Sequence, residues 1–293
     1  MDSLSPAVPA SIVGLDEIVA AARVMGVSGG GRGTAALLAL LYDTDVDVGE
    51  VLRCLQSEPG LAALVLKVAN AAYYRQTRSV GTMDRAIQVL GLSAIRGIAA
   101  AGCMDRMSIP ALGRGLDAGR FRSHSLAVAT AAQTLSQRAG AGVDAEAFMA
   151  GLLHDIGIVL LARLRPQAVA NVGELSATDA AALLQAETDL IGANHAACGA
   201  LLADAWSLPA WLGAALQAHH LPRSGALVSG VDALPALLAL GDYAAHQAGY
   251  GLWPICATVP DPAWAASIGL DETTCSEVAA GLVDSLQRLA PAS

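Results

Sequence analysis

Apolar residues recur along most of the chain at intervals of three and four positions, which is the spacing that places side chains on one face of an α-helix. In the first such segment, Leu15, Ile18, Val19 and Ala22 share a face. Alternation of apolar and polar residues, which would indicate half-buried strands, is missing from the sequence. The pattern therefore predicts an all-α protein.

Glycine, proline and capping residues divide this pattern into short helices. Thr82, for example, can cap a helix that begins at Met83, and Gly91 would end that helix. The predicted helices cover residues 15–25, 34–42, 47–56, 59–73, 83–90, 94–104, 120–138, 143–153, 180–205, 209–218, 232–249, 262–268 and 272–289.

Glycine and proline cluster between residues 110 and 119, which indicates a boundary between two helical subdomains, 12–110 and 111–290. The first subdomain contains no obvious chemistry. Its Gly-rich residues 28–33 lack the lysine and the preceding strand of a phosphate-binding loop, so a flexible link is favoured. Asn70, a polar residue in the apolar helix 59–73, is interpreted as a cap for backbone groups.

Composition restricts the classes of partner and the nature of the core. Apolar residues make up 54% of the chain and aromatic residues only 4%, so the core must be built from aliphatic side chains. The net charge of −9 argues against a broad nucleic-acid surface. A local basic patch around Arg75, Arg78 and Arg85 stays open as an alternative.

Two further features predict a cytoplasmic protein that does not enter a membrane. The five cysteines are scattered without a C-x-x-C pair, which favours a reducing compartment over a disulfide framework. No apolar run approaches the roughly 20 residues that span a bilayer, and the N-terminus lacks the pattern of a signal peptide.

The chemistry of the chain centres on His154-Asp155, which follows a strongly apolar helix and precedes Gly157. Polar groups close to a core need partners, and a metal ion can serve both an imidazole and a carboxylate. The alternative is a helix end whose histidine donates to a carbonyl. Other candidate ligands lie on predicted helices in the second half of the chain. The complete candidate set is His124, His154, Asp155, His195, His219, His220 and Asp242.

Iron, manganese and zinc suit such a mixture of imidazole and carboxylate ligands, and a carboxylate can bridge two ions. Each residue also has a simpler explanation when taken alone. His124 would be a histidine whose hydrogen-bonding groups already have partners. The His219-His220 pair would be an exposed helix end, and Asp242 would be a solvated helix residue. His246, one turn from Asp242, is left outside the candidate set.

The order of H, HD, H, HH and D resembles the HD superfamily of metal-dependent phosphohydrolases, particularly its HD-GYP branch. In that branch such residues hold two or three metal ions and hydrolyse cyclic dinucleotides. The surrounding sequence resembles more the HDOD family, the HD-related output domain of bacterial signalling proteins. The resemblance covers about residues 12–250 and rests on the segments Glu58–Leu61, Leu66–Ala72, Ala86–Gly91, Phe148–Gly157, Glu187, His195, Trp206–Pro209 and His219-His220.

The resemblance implies an HDOD-like helical bundle in which the N-terminal subdomain packs on the HD-type subdomain and forms a cleft. It also implies a bacterial regulatory protein that binds a signalling partner or a ligand. The alternative is a phosphodiesterase acting on a nucleotide or cyclic dinucleotide, with Asp155 as the catalytic, bridging carboxylate.

Two departures from the HD-GYP pattern leave enzymatic activity uncertain. Ile158 stands where many active relatives carry a lysine, and no GYP segment follows His220. A basic group near the metals would hold substrate phosphate. Arg163, Arg165 or Arg223 could replace the lysine, but the residues that bind substrate stay unknown. Direct nucleic-acid binding is the least favoured function, because the chain is acidic.

Overall fold

The computed structural model describes residues 13–28, 47–56, 65, 69, 82–91, 95, 118–174, 180–206, 208–220, 227–253 and 262–289. These residues are helical, and strands are missing from them, so the predicted all-α class is confirmed. In chain order the helices are α1 Leu15–Ser28, α2 Val48–Gln56, α3 Met83–Leu90, α4 Ala118–Ala139, α5 Asp144–Leu153, α6 Ile156–Leu164, α7 Pro166–Glu174, α8 Ala180–Ile191, α9 His195–Ala205, α10 Ala210–Ala218, α11 Leu234–Gln247, α12 Pro262–Ser267 and α13 Glu272–Leu289.

Several predicted boundaries agree with the structure. Thr82 Oγ1 accepts from the backbone N–H of Arg85 at 3.3 Å, and Gly91 ends α3 with a φ of 79°. The predicted helices 34–42, 59–73 and 94–104 lie almost entirely outside the described residues; the described positions Val65, Ala69 and Ile95 are helical and buried. Residues 29–33 of the predicted glycine link, Asn70, Arg75, Arg78 and Arg223 also lie outside them, whereas Ser28 is the last residue of α1.

The single helix predicted over residues 180–205 is wrong, because the chain turns between α8 and α9. Gly192 has a φ of 101°, a left-handed conformation that interrupts helical hydrogen bonding. Asn194 then caps α9, its side chain accepting from the backbone N–H of Ala197 at 2.9 Å. The helix predicted over 232–249 is also divided, since a 3₁₀ turn, Gly230–Ala233, precedes α11.

The core is built where α4 packs against α5, α11 and α13, and where α9 packs against α6 and α10. Two glycines permit the closest approaches. A Cβ at Gly151 would lie 2.6 Å from the Cα of Ala129, so α5 meets the backbone of α4 directly. A Cβ at Gly157 would overlap the backbone carbonyl of His195, so α6 meets α9 in the same manner. These approaches place the turn at His154-Asp155, called the HD turn, between α4, which carries His124, and α9, which carries His195.

The first helix lies against the HD-type half of the chain. It packs on α9 and α6, and the N–H of Val13 donates to the carbonyl of Ile191 at 2.7 Å. Arg165 donates to both carboxylate oxygens of Glu17, at 3.1 and 3.2 Å. The division into subdomains 12–110 and 111–290 stays a prediction.

The expectation that no apolar segment reaches membrane-spanning length is wrong. The segment Asp144–Leu164 has 21 residues with a mean hydropathy of 1.7 in its most apolar window. This window is 89% buried inside the protein, as expected for a core helix. The segment also turns at His154-Asp155, where α5 ends and α6 begins.

Candidate metal centre

The turn between α5 and α6 directs His154 and Asp155 into the protein, where their exposed fractions are 1% and 6%. His154 Nδ1 donates to the carbonyl of Gly151 at 2.8 Å. On α4, His124 Nδ1 donates to the carbonyl of Tyr250 at 2.9 Å. Because a carbonyl oxygen only accepts, each ring carries a proton on Nδ1, and Nε2 is the atom that faces the cluster.

The histidines of α9 and α10 are held in the same way. His195 Nδ1 donates to the Glu187 carboxylate at 2.7 and 2.9 Å, and the backbone N–H of His195 donates to the same group at 2.8 Å. His219 Nδ1 donates to the carbonyl of Leu216 at 2.6 Å. In the sequence Glu187 contributed to the family resemblance, and its role in holding the ring was not predicted. The bend after α8 brings the two together.

Asp155 lies between two groups of imidazoles. Its Oδ2 is 3.4 Å from His124 Nε2 and 3.3 Å from His154 Nε2. Its Oδ1 is 3.4 Å from His195 Nε2 and 3.9 Å from His219 Nε2. The carboxylate therefore presents one oxygen to each group. The first set comprises His124, His154, Asp155 and Asp242; the second set comprises Asp155, His195, His219 and His220.

Within each set, two imidazole nitrogens approach each other. His124 Nε2 lies 3.2 Å from His154 Nε2, and His195 Nε2 lies 3.0 Å from His220 Nε2. In the first pair both rings carry their proton on Nδ1, so the two Nε2 lone pairs require a cation between them, which is either a proton or a metal ion. Ligands about 2.1 Å from a common ion are separated by about 3.0 Å in an octahedron and about 3.4 Å in a tetrahedron. The observed separations fall in this range.

Two buried polar atoms in the cluster have no hydrogen-bond partner, namely His219 Nε2 and Asp242 Oδ1. Buried polar atoms usually do have partners, and unsatisfied ones often mark a missing ion or water. Three groups of ligand atoms lie mutually within 4.8 Å, so each could hold a metal ion. They are Asp155 with His195, His219 and His220; His124 with His154 and Asp155; and His124 with Asp242 and His246.

The protonation states of Asp155, His219 and His220 also suit a metal, whereas the pKa of His154 is raised from 6.5, because the Asp155 carboxylate outweighs the effect of burial. Burial alone would raise the pKa of Asp155, but the charges of His154 and the other imidazoles hold it well below its usual range. Burial, reinforced by His154 and His195, lowers the pKa of His219 to about 3, and burial with the charge of His219 lowers that of His220 well below 6.5. These groups are therefore in their metal-binding forms at neutral pH.

Burial alone would lower the pKa of His195, but the Glu187 carboxylate raises it to about 9. In the metal-free protein this ring is therefore protonated at neutral pH, and a metal ion would displace that proton. The donors present, imidazole nitrogen and carboxylate oxygen, fit the predicted iron, manganese or zinc. The structure thus brings all seven predicted residues into one cluster.

Two of the arginines that the sequence suggested as replacements for the missing lysine do not lie where they were expected. Ile158 is buried in the core with 1% exposure, and Arg165 is paired with Glu17 of α1. Arg163 is exposed near the distant end of α6. Arg120 lies one turn before His124 on α4, and its Nε donates to the carbonyl of Gly251 at 3.0 Å. Sequence reasoning did not select this arginine.

The arrangement of helices resembles several solved structures. An HDOD domain protein with unknown function from Geobacter sulfurreducens is 25% identical, with a TM-score of 0.67, over 94% of this chain and 97% of that one. A Shewanella amazonensis protein provisionally named a phosphohydrolase is 25% identical, with a TM-score of 0.65, over 92% of this chain and 95% of that one.

A Marinobacter aquaeolei protein provisionally named a signal transduction protein has the same fold, with a TM-score of 0.71 at 21% identity, over 90% of this chain and 58% of that one. No curated protein matches the sequence significantly. The family model of the HDOD domain matches residues 34–222, which is more than half of the sequence. The chain therefore belongs to the HDOD domain family.

Proposed function

We propose that this HDOD protein binds two divalent metal ions and hydrolyses a phosphoester between them. The observation that supports the proposal is the position of Asp155, whose two carboxylate oxygens face two separate sets of imidazole Nε2 atoms. Asp155 would contact both ions. The other ligands would be His124, His154 and Asp242 for one ion, and His195, His219 and His220 for the other.

A pair of such ions would supply Lewis-acid stabilisation of a phosphoryl group and would activate water as the nucleophile. The protein's own residues hold the ligands in position. Carbonyls of Tyr250, Gly151 and Leu216 orient three of the rings, and the Glu187 carboxylate orients His195. Such partners fix the tautomer of each ring and raise its basicity as a ligand. Asp155, buried and ionised, needs no proton transfer before it binds a cation.

Arg120 is the proposed contact for substrate phosphate. It lies on the same face of α4 as His124, one turn earlier, and is anchored to the segment that also holds His124. A guanidinium recognises phosphate oxygens through several N–H groups at once. The proposed substrate class is a nucleotide or a cyclic dinucleotide, as the family resemblance implies.

The first test is elemental analysis of protein purified without a metal-affinity tag. We expect one to two ions of iron, manganese or zinc per chain, and a His154→Ala variant that has lost them. The loaded protein should then release product from bis-p-nitrophenyl phosphate or from a nucleotide diester. A folded protein that stays empty after reconstitution with each of the three metals would rule out the hydrolase.

The second candidate is a regulatory module that acts by binding a signalling protein or a nucleotide without turnover. The observation that favours it is the burial of Ile158, which leaves an aliphatic side chain where many active HD-GYP relatives have a lysine. In this case the ions would stabilise the cluster, and the protein would bind metal without hydrolysing any phosphoester. Metal content together with the turnover assay separates the two candidates.

The proposed location is the cytoplasm. Among the described residues, Cys198 and Cys275 are buried free thiols, as expected in a reducing compartment. Direct binding of nucleic acid stays the least favoured function, because the net charge is −9.

A further inference from the structure

His246 stands outside the two sets of proposed ligands, yet its ring faces the first one. It follows Asp242 by four residues on α11, so both side chains project from the same face of the helix. Its Nε2 lies 3.5 Å from Asp242 Oδ1, and its ring meets that of His124 nearly edge-on, with centroids 5.7 Å apart. With a side-chain exposure of 13%, it lies at the solvent side of the cluster.

Asp242 Oδ1 provides the chemical reason for a cation at this position. The oxygen is buried and has no hydrogen-bond partner. His124 Nε2 is 3.4 Å away and His246 Nε2 is 3.5 Å away. Charge-assisted N–H···O bonds are about 2.7–2.9 Å long, so neither contact is one. Both distances instead match the edge of about 3.4 Å between two ligands in a tetrahedral site.

The tautomer of His124 supports the same conclusion. Its Nδ1 donates to the carbonyl of Tyr250, so the neutral ring presents a lone pair on Nε2. This lone pair faces the carboxylate oxygen of Asp242, and two acceptors at 3.4 Å do not stabilise each other. A divalent ion that all three side chains coordinate would satisfy the oxygen and both imidazoles.

The ring of His246 is also held in place by its surroundings. A Cβ at Gly251 would lie 2.5 Å from His246 Nδ1, so only glycine lets the backbone lie against the ring. The carbonyl of this glycine accepts from Arg120 Nε, and the preceding Tyr250 carbonyl accepts from His124. One short segment after α11 therefore positions both imidazoles of the group.

A simpler role for His246 is stabilisation of the helix dipole, since it lies in the last turn of α11. That role requires only a cationic group near the terminal carbonyls, and it does not direct Nε2 towards Asp242. His246 lies one turn after Asp242, and the ligand atoms of His246, Asp242 and His124 are mutually within 4.8 Å, which is the position of a chelating pair.

We infer that His246 is a further metal ligand, which joins Asp242 in binding the divalent ion of the first set. The inference rests on the proposed metal centre and extends it by one residue. His246 would complete the coordination at the position that it shares with His124 and Asp242. The pair Asp242 and His246 then forms a chelate on a single helix, supporting retention of this ion.

The test is titration of metal-free protein with Mn²⁺ by isothermal calorimetry, using the full chain. We expect two ions to bind to the wild type. His246→Ala should weaken one of them at least tenfold and leave the other unchanged. His246→Phe keeps a ring against Gly251 without donor atoms and should show the same loss. Gln247→Ala, a change at the exposed neighbouring residue, should bind as the wild type does.

Two outcomes would overturn the inference, and they differ from each other. If the wild type binds two ions and both His246 variants give superimposable curves, His246 is not a ligand, while the proposed metal centre stands. If the wild type binds no Mn²⁺, iron or zinc, the metal centre itself fails, and His246 fails with it. A folded His246→Phe protein, checked by circular dichroism, keeps the test decisive should the alanine variant unfold.

Discussion

Replacement of Glu187 by glutamine tests how the second set is held together. Glutamine keeps the size of the side chain and can still accept from the backbone N–H of His195, which lies 2.8 Å from the carboxylate. It removes the negative charge that raises the pKa of His195 to about 9. The variant therefore isolates the electrostatic part of the interaction, in a pair whose side-chain exposures are 1% and 3%.

The size and the sign of the effect follow from linkage. The pKa of His195 rises from 6.5 to about 9 on folding, because Glu187 first, and then Asp155 and Asp242, outweigh the effect of burial. Each unit corresponds to about 1.4 kcal/mol, so these carboxylates together contribute about 3 kcal/mol net of burial, and Glu187 is the largest contributor. Because the folded pKa is the higher one, this contribution is fully present below pH 6.5. It is lost as the pH rises through about 9, where the folded protein also releases the proton.

The assay is urea denaturation of metal-free protein at pH 6 and pH 10, with a chelator present. We expect Glu187→Gln to be less stable than the wild type by about 3 kcal/mol at pH 6. The two proteins should differ by less than about 1 kcal/mol at pH 10. The matched control is Glu277→Gln, which removes an exposed ion pair with Arg138 and should cost less than about 1 kcal/mol at either pH.

The same variant should bind metal 10–100 times more weakly, because loss of the partner that orients a ligating histidine has that effect. A difference between Glu187→Gln and the wild type that is constant with pH, or that grows at high pH, would refute the electrostatic reasoning. A difference close to zero at both pH values would refute it too, since the carboxylate would then act only as a hydrogen-bond acceptor, which glutamine replaces.

Two further predictions concern the backbone positions that place the ligands. Gly157→Ala should destabilise the protein by about 3 kcal/mol and lower its metal content, because the new methyl group would overlap the carbonyl of His195. Gly281→Ala, where an added Cβ has nothing within 4 Å, is the control for urea denaturation and should stabilise by about 0.5–1 kcal/mol. Asn194→Ala removes the cap of α9 and should cost about 1 kcal/mol, measured in the same way; an unchanged midpoint would contradict a capping role.

The all-α fold and the seven candidate ligands could be predicted from the sequence because both depend on local signals. Helical periodicity is read over a few turns, and His154-Asp155 is conspicuous between apolar neighbours. The meeting of the seven side chains in one cluster is not a local property, because it depends on helices that are distant in the sequence. The sequence grouped His124 with Asp242 as candidate ligands by residue type, and the resemblance to a known family supported that grouping.

The features that the sequence did not predict depend on tertiary contacts, which a local pattern of residues does not indicate. His246 has the same i, i+4 spacing with Asp242 that a surface pair would have, and the ring of His124 beside it is 122 positions away in the sequence. The division between α8 and α9 was missed for a related reason. Gly192-Ala193-Asn194 is short enough for the apolar pattern to continue across it, so periodicity alone favours one helix.

The two helices that meet at the HD turn explain why the core and the candidate site form one unit. The segment Asp144–Leu164 is apolar enough to build the centre of the protein, and 89% of its most apolar window is buried. Between Ala147 and Ala162 its only polar side chains are those of His154 and Asp155, so this buried stretch presents its ligands at the turn. Gly151 and Gly157 flank this turn and allow α4 and α9 to approach within backbone contact. Substitutions that separate these helices should therefore lower stability and metal affinity together, whereas changes at Glu187 or His246 should affect mainly one set of ligands.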